Sequence, residues 1–112
     1  MKKLIYSLVL LMSSHMISQA QPGIQWQKNY GGNNADRAMS TKQTTDGGYI
    51  VAGYTLSNNG DVTGYRGGED YWVLKLNSAG TIQWKRTFGG SGDDRCYAVQ
   101  QTADGGYILA GT

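Results

Sequence analysis

The sequence predicts an all-β fold: β-propeller-type blades of four antiparallel strands per 58-residue repeat, about one and a half blades in all. Three observations carry that reading. One block is written twice in a fixed register. Ile24-Gln25-Trp26 returns as Ile82-Gln83-Trp84, Gly31-Gly32 as Gly89-Gly90, Asp36-Arg37 as Asp94-Arg95, and Asp46-Gly47-Gly48-Tyr49-Ile50 as Asp104-Gly105-Gly106-Tyr107-Ile108. Residues 24–53 and 82–111 agree at 16 of 30 positions without a gap, which defines a structural repeat. The chain also has 17 Gly against a single Pro, and its glycine pairs punctuate short runs rich in Tyr, Trp, Val, Ile and Thr, the pattern of short strands joined by tight turns. Finally, no window after residue 20 sustains the three-and-four apolar spacing of a helix.

Taken in order, residues 1–20 differ in kind from the rest. Lys2-Lys3, an apolar run from Leu4 to Met12 and Ser18-Gln19-Ala20 read as a secretory signal peptide cut after Ala20. The apolar stretch falls short of the roughly 20 residues that span a bilayer, so no membrane span is expected once the leader is removed. No Cys follows the run, which argues against a lipid anchor. The remaining region, 21–112, is an incomplete propeller repeat region, with copies at 24–81 and 82–112, the second truncated.

Four strand-like runs fill one period, at about 37–44, 48–55, 70–76 and 81–88. In the third, the period of two puts Trp72, Leu74 and Leu76 on one face and Tyr71, Val73 and Lys75 on the other. In the fourth, the same rule puts Ile82, Trp84 and Phe88 together, opposite Gln83, Lys85 and Thr87. The second run, Tyr49-Ile50-Val51-Ala52-Gly53, is apolar on both sides and reads as an interior strand whose Ala-Gly end lets another backbone approach closely. Lys85 and Arg86 suit a protected sheet edge. Thr45-Asp46-Gly47-Gly48 and its counterpart at 103–106 read as hairpin turns in which Asp and Gly adopt positive φ. Only residues 56–69 form a long polar stretch, the natural place for loop-borne function. Four strands with two apolar faces favour a blade over a sandwich tandem or a solenoid. Stacked repeats ordinarily number three or more, so the natural protein is expected to continue with further blades of the same chain.

Composition excludes several functions. The two leader lysines account for the formal charge of +2, leaving no basic face for nucleic acid. The one His, His15, also lies in the leader, and Cys96 is the only Cys. A His-dependent base, a Ser-His-Asp triad and a Cys/His zinc site are therefore impossible in residues 21–112, and no catalytic residue is assigned. Cys96 aligns with Ala38, which predicts a free thiol in a position that takes a small buried side chain.

Weaker chemistry can be weighed residue by residue. Arg37 and Arg95, each beside an Asp, are ligand candidates, though recurrence in both copies favours bracing of one blade against the next. Asn58, Asp61 and Asp70 gather oxygen donors around the long loop and are Ca²⁺ candidates, without the EF-hand spacing; no other cofactor is expected. Tyr65, in the same loop, is the candidate for stacking on a glycan, whereas Trp26 and Trp84 recur on an apolar face as core aromatics do.

Trp26 to Gly32, Asp46 to Gly53, Asp70 to Asn77 and Gly80 to Trp84 resemble the repeats of large secreted Bacteroidota proteins that usually end in a type IX secretion sorting domain, which these 112 residues do not include. The resemblance implies a propeller fold, export through the inner membrane of a Gram-negative bacterium and a secreted or cell-surface location. More distantly, the turn from Asn77 to Trp84 is similar to quinoprotein propeller repeats and sialidase Asp-boxes, both structural motifs. The function expected is a non-enzymatic scaffold for extracellular adhesion or recognition, with a glycan or protein as partner. The alternative is a fragment of a secreted polysaccharide-degrading enzyme whose catalytic residues lie outside this chain.

Overall fold

The computed structural model describes residues 23–112; the leader and its cleavage point lie outside the described residues. Six strands follow one another: β1 (Asp36–Gln43), β2 (Tyr49–Thr55), β3 (Asp70–Leu76), β4 (Ile82–Phe88), β5 (Cys96–Gln101) and β6 (Tyr107–Gly111). The first four form an antiparallel sheet in chain order, and the last two form a second, two-stranded sheet. Among the described residues there is no helix, so none long and apolar enough to cross a membrane.

Strand pairing divides the first sheet into two apolar faces. On one, Ile50, Ala52 and Val73 are buried; on the other, Trp72, Leu74 and Leu76 are buried with Val62 from the long loop. The alternation expected for β3 therefore holds, and β2, flanked by β1 and β3, is the interior strand its two-sided pattern predicts. β4 departs from simple alternation. Its pairing with β3 steps from Lys75↔Trp84 to Leu76↔Ile82, so Gln83 is an extra, bulged residue. A bulge reverses the facing of everything beyond it. Ile82 consequently joins the Trp72 cluster, while Trp84 joins the Val73 cluster, and the expected shared face of Ile82, Trp84 and Phe88 is split.

The second sheet covers the Ile50 face. β5 lies against β1 and β2, and Cys96 and Val99 close over Ile50, Ala52 and Val73, with Tyr107, Leu109 and Trp84 at the margin. Polar contacts reinforce the join. Thr45 N–H donates to Gln101 Oε1 at 2.9 Å, Val99 N–H to Ser40 Oγ at 3.4 Å, and Asp94 N–H to the Glu69 carbonyl at 2.5 Å.

The two copies share fine detail as well as strands. Both first strands bulge by one residue, at Met39 and at Tyr97, opposite a glycine, Gly53 or Gly111. A Cβ on either glycine would run into the carbonyl oxygen of Arg37 or Arg95, so the close backbone approach anticipated from Ala52-Gly53 is real in both. The hairpin turns match too. Gly47 and Gly105 take φ of 83° and 86°, whereas among the described residues no residue other than glycine has positive φ. Asp46 thus contributes through its side chain and not, as expected, through a left-handed backbone: Oδ1 accepts from Gly48 N–H at 2.9 Å and from the Thr44 hydroxyl at 2.5 Å, an Asx-type turn.

Candidate functional site

The long loop, residues 56–69, is used as a strap. Ser57 Oγ, Asn59 Oδ1 and Asp61 Oδ2 accept the backbone N–H groups of Asn34, Asn33 and Gly31 at 2.9, 2.9 and 3.0 Å, and the Asp61 N–H returns a bond to the Gly31 carbonyl at 3.0 Å. These side chains take up the N–H groups of the Gly31-Gly32 turn, where a strand ladder is absent. Asp36 completes the knot: it accepts from Gly32 N–H at 2.9 Å and from the Thr55 and Ser57 hydroxyls at 2.5 and 3.1 Å.

The sequence-predicted candidates separate in space and in role. Asp61 is committed to Gly31, and its carbonyl accepts the Trp72 indole N–H at 3.1 Å. Asn58 is exposed at the loop tip. Asp70 is fully buried; its Oδ2 accepts Arg66 N–H at 2.7 Å and its Oδ1 has no partner. Asp70 Oδ1 and Asp94 Oδ2 both crowd the side of Gly89 where a Cβ would stand, so two carboxylates face one glycine. No cluster of three or more His, Cys, Asp or Glu placed to hold a metal ion occurs among the described residues.

Tyr65, expected to be exposed, is half-buried: its ring packs on the Trp72 cluster and its hydroxyl donates to the Gly68 carbonyl at 2.8 Å. Arg95 pairs with Glu69 and lies over the Tyr54 ring, 5.3 Å from its centroid, so it ties the second sheet to the first. Arg37 is exposed and, among the described residues, makes no ion pair.

Sequence reasoning missed the cluster around Lys75. This ammonium is buried, and it donates to Asp46 Oδ2 at 3.0 Å, the Leu76 carbonyl at 2.9 Å and Gln83 Oε1 at 2.9 Å. All three of its donors are used, which is what makes a buried ammonium tolerable. The Thr44 hydroxyl, Gly48 N–H and Lys75 together hold the Asp46 carboxyl well below the usual carboxylate range. No pattern in the sequence marks this cluster, because Gln83 is the bulged residue of β4 and a bulge is invisible to a period-of-two rule.

One open surface is largely apolar. On the Trp72 side of the first sheet, Trp26, Tyr30, Tyr49, Val51, Ala38 and Thr41 line a groove of about 530 Å³. Its floor is held by residues 24–30, which cross the sheet end: the Trp26 indole donates to the Ser78 carbonyl at 3.0 Å and the Tyr30 hydroxyl to the Gly80 carbonyl at 2.5 Å. Gly80 has φ of 82° and lies under the Trp26 ring, where a side chain would collide with the indole. No carboxylate, Lys, Arg, His or Cys lines the groove, whose ionisable groups are the Tyr30 and Tyr49 phenols, so it suits docking of a largely apolar surface. No protein-family model, curated protein or solved structure matches this chain.

Proposed function

We propose that this chain is part of an exported, non-enzymatic scaffold of β-propeller-type blades that presents loops for recognition or adhesion outside the cell. The observation that carries the reading is the join between the two copies: the second sheet lies face to face on the first, and the Trp-to-Tyr contact of one copy is repeated in the next. Trp26 meets Tyr49 edge-on with ring centroids 5.8 Å apart, and Trp84 meets Tyr107 in the same way at 5.8 Å, across 58 residues of sequence. Recurrent stacking of like sheets about a common join is how blades of a propeller bury their faces. The strap loop spends its polar side chains on the Gly31–Asn34 backbone, which suits a framework better than a reaction centre.

Two measurements test this. Expression in a Gram-negative host with N-terminal sequencing of the exported product should find a chain beginning at Gln21; a protein retained in the cytoplasm with an intact leader removes the export element. Incubation with plant and bacterial polysaccharides should give no cleavage, while a glycan array gives retention without turnover. Release of shortened sugar chains would overturn the scaffold in favour of a degrading enzyme.

A further inference from the structure

Among the described residues, three cations without a carboxylate partner meet at the outer edge of the first sheet. Arg66 comes from the long loop, and Lys85 and Arg86 from β4, the end strand of that sheet. With Thr63, Thr87 and Phe88 they line a cleft of about 480 Å³, within the size range of ligand sites. The ion pairs of the described residues, Lys75 with Asp46 and Arg95 with Glu69, lie elsewhere. Two of the cleft cations reach only carbonyl oxygens: Arg66 Nη1 donates to Gly89 at 3.2 Å and Lys85 Nζ to Gly60 at 3.5 Å. Arg86 and Phe88 are exposed. The Thr87 hydroxyl donates to the Thr63 carbonyl at 2.5 Å, which fastens the loop to the strand and fixes the spacing of the two walls.

Two features separate this cleft from plain protection of a sheet edge. Residues 24–30 are the counterpart of β4, 58 residues earlier, and they pack against the end of a complete four-stranded sheet. Gln27 and Lys28, in the places of Lys85 and Arg86, remain exposed there. The equivalent strand thus keeps this side open with a whole neighbouring sheet in place, so the opening belongs to the outer edge of the repeat. The second feature is the charge itself. Lys28 and Arg86 repeat a cation, as edge protection requires, whereas Gln27 gives way to Lys85, a charge particular to the copy that also has Arg66 beside it.

We propose that this cleft binds an acidic polysaccharide, with its anionic groups held by Arg66, Lys85 and Arg86 and a sugar ring lying on Phe88. Guanidinium and ammonium groups hold carboxylate or sulfate through charge-assisted hydrogen bonds, and the exposed ring offers an apolar face to the C–H side of a sugar. A nucleic acid fits less well: without the two leader lysines, eight basic residues balance eight acidic ones, so no net field gathers a dense row of phosphates. The inference rests on the recognition reading above and gives it a place and a ligand class.

Surface plasmon resonance of the full 112-residue chain provides the test, on immobilised polygalacturonate, its methyl-esterified form, dextran sulfate, neutral dextran and single-stranded DNA. Binding is expected to one or both acidic polysaccharides and to neither uncharged polymer, and high salt should weaken it at least about tenfold. The tighter of the two acidic polymers identifies carboxylate or sulfate as the group held. Arg66→Gln with Arg86→Gln should lower affinity at least about tenfold, and Phe88→Leu about threefold. Arg66→Lys with Arg86→Lys should keep most of the binding. Arg37→Gln with Lys42→Gln removes as much charge from exposed places elsewhere and should leave it unchanged. Far-ultraviolet circular dichroism checks each fold; if the glutamine pair loses its β spectrum, Arg86→Gln alone serves, with a loss of about threefold. Equal binding to the esterified polymer, an equal loss in the Arg37 and Lys42 variant, tighter binding of DNA, or no binding to any polymer would each overturn the proposal. Retention of neutral glycans without acidic ones would remove this site while leaving the recognition reading in place.

Discussion

Ile50 and Ile108 stand at the same place in the two copies of the repeat, in strands of the same register, yet one is sealed at 0% exposure and the other lies open at 61%. Nothing in the local sequence separates them, since both follow Asp-Gly-Gly-Tyr. What differs is the neighbour. Ile50 has the second sheet on top of it, and Ile108 has solvent. Burial at these paired positions is thus set by what packs on the sheet and not by the local sequence. The same holds for Ala52 and Ala110, and for Cys96 and Ala38, while the turn and bulge geometry, which is local, is preserved in both copies.

The strongest way to break that comparison is to truncate both isoleucines. Ile50→Ala removes buried atoms from the centre of the join and is expected to cost about 3 kcal/mol. Ile108→Ala, at the equivalent exposed place, should stay within about 0.5 kcal/mol. Urea unfolding at low protein concentration measures both. Equal losses would mean that the two positions share an environment in solution, contrary to the arrangement described here.

A smaller difference is expected at the first strands. The sequence aligns Cys96 with Ala38 and predicts a buried small side chain at each; Cys96 is indeed buried and free, but Ala38 is exposed on the groove. The equivalence is one of backbone only. Cys96→Ala should therefore cost about 1 kcal/mol, because it empties the sulfur's space between the sheets. Burial also pushes the Cys96 thiol pKa up, so the native thiol should react slowly with a disulfide reagent. Ala38→Cys in the Cys96→Ala background should instead react at close to the rate of an unfolded control. Fast labelling of Cys96 in the native chain would show that the sheets part readily.

How far the sequence could be read follows the same division between local and stacked. The six strands, the interior position of β2, the edge position of β4 and the turn glycines were legible because each is decided by alternation, Gly placement or β propensity within a few residues. The facing of Trp84 was not, because Gln83 occupies no partner opposite it and one unpaired residue inverts the pattern. The buried Lys75 was assigned to the correct face, but its partners Asp46 and Gln83 come from a turn and a bulge, and no sequence spacing brings those together. Among the candidate site residues, the long loop was correctly located as the irregular segment. Its polar side chains are spent on the Gly31–Asn34 backbone, a destination that composition cannot reveal.

The smallest expected effect sharpens the comparison at the two hairpin turns. Asp46 and Asp104 make the same hydroxyl and backbone hydrogen bonds, to Thr44 and Gly48 or to Thr102 and Gly106, and both carboxyl pKa values are lowered chiefly by them. Asp46 alone also receives Lys75. A carboxyl whose folded pKa lies below its unfolded value stabilises the native state above the unfolded pKa, about 4, and that contribution is lost as the pH falls through the folded value. Both turns should therefore weaken on acidification, Asp46 over the wider and more acidic window. The Asp46 side chain is 53% exposed, so solvent screens its ion pair and the effect stays well below that of Ile50→Ala. Asp46→Asn and Asp104→Asn keep much of the turn geometry while removing the titration. In melting temperature followed from pH 6 down to pH 2, Asp46→Asn should flatten the acid limb more than Asp104→Asn does. An acid limb altered equally by both would show that Lys75 adds nothing to the turn it touches.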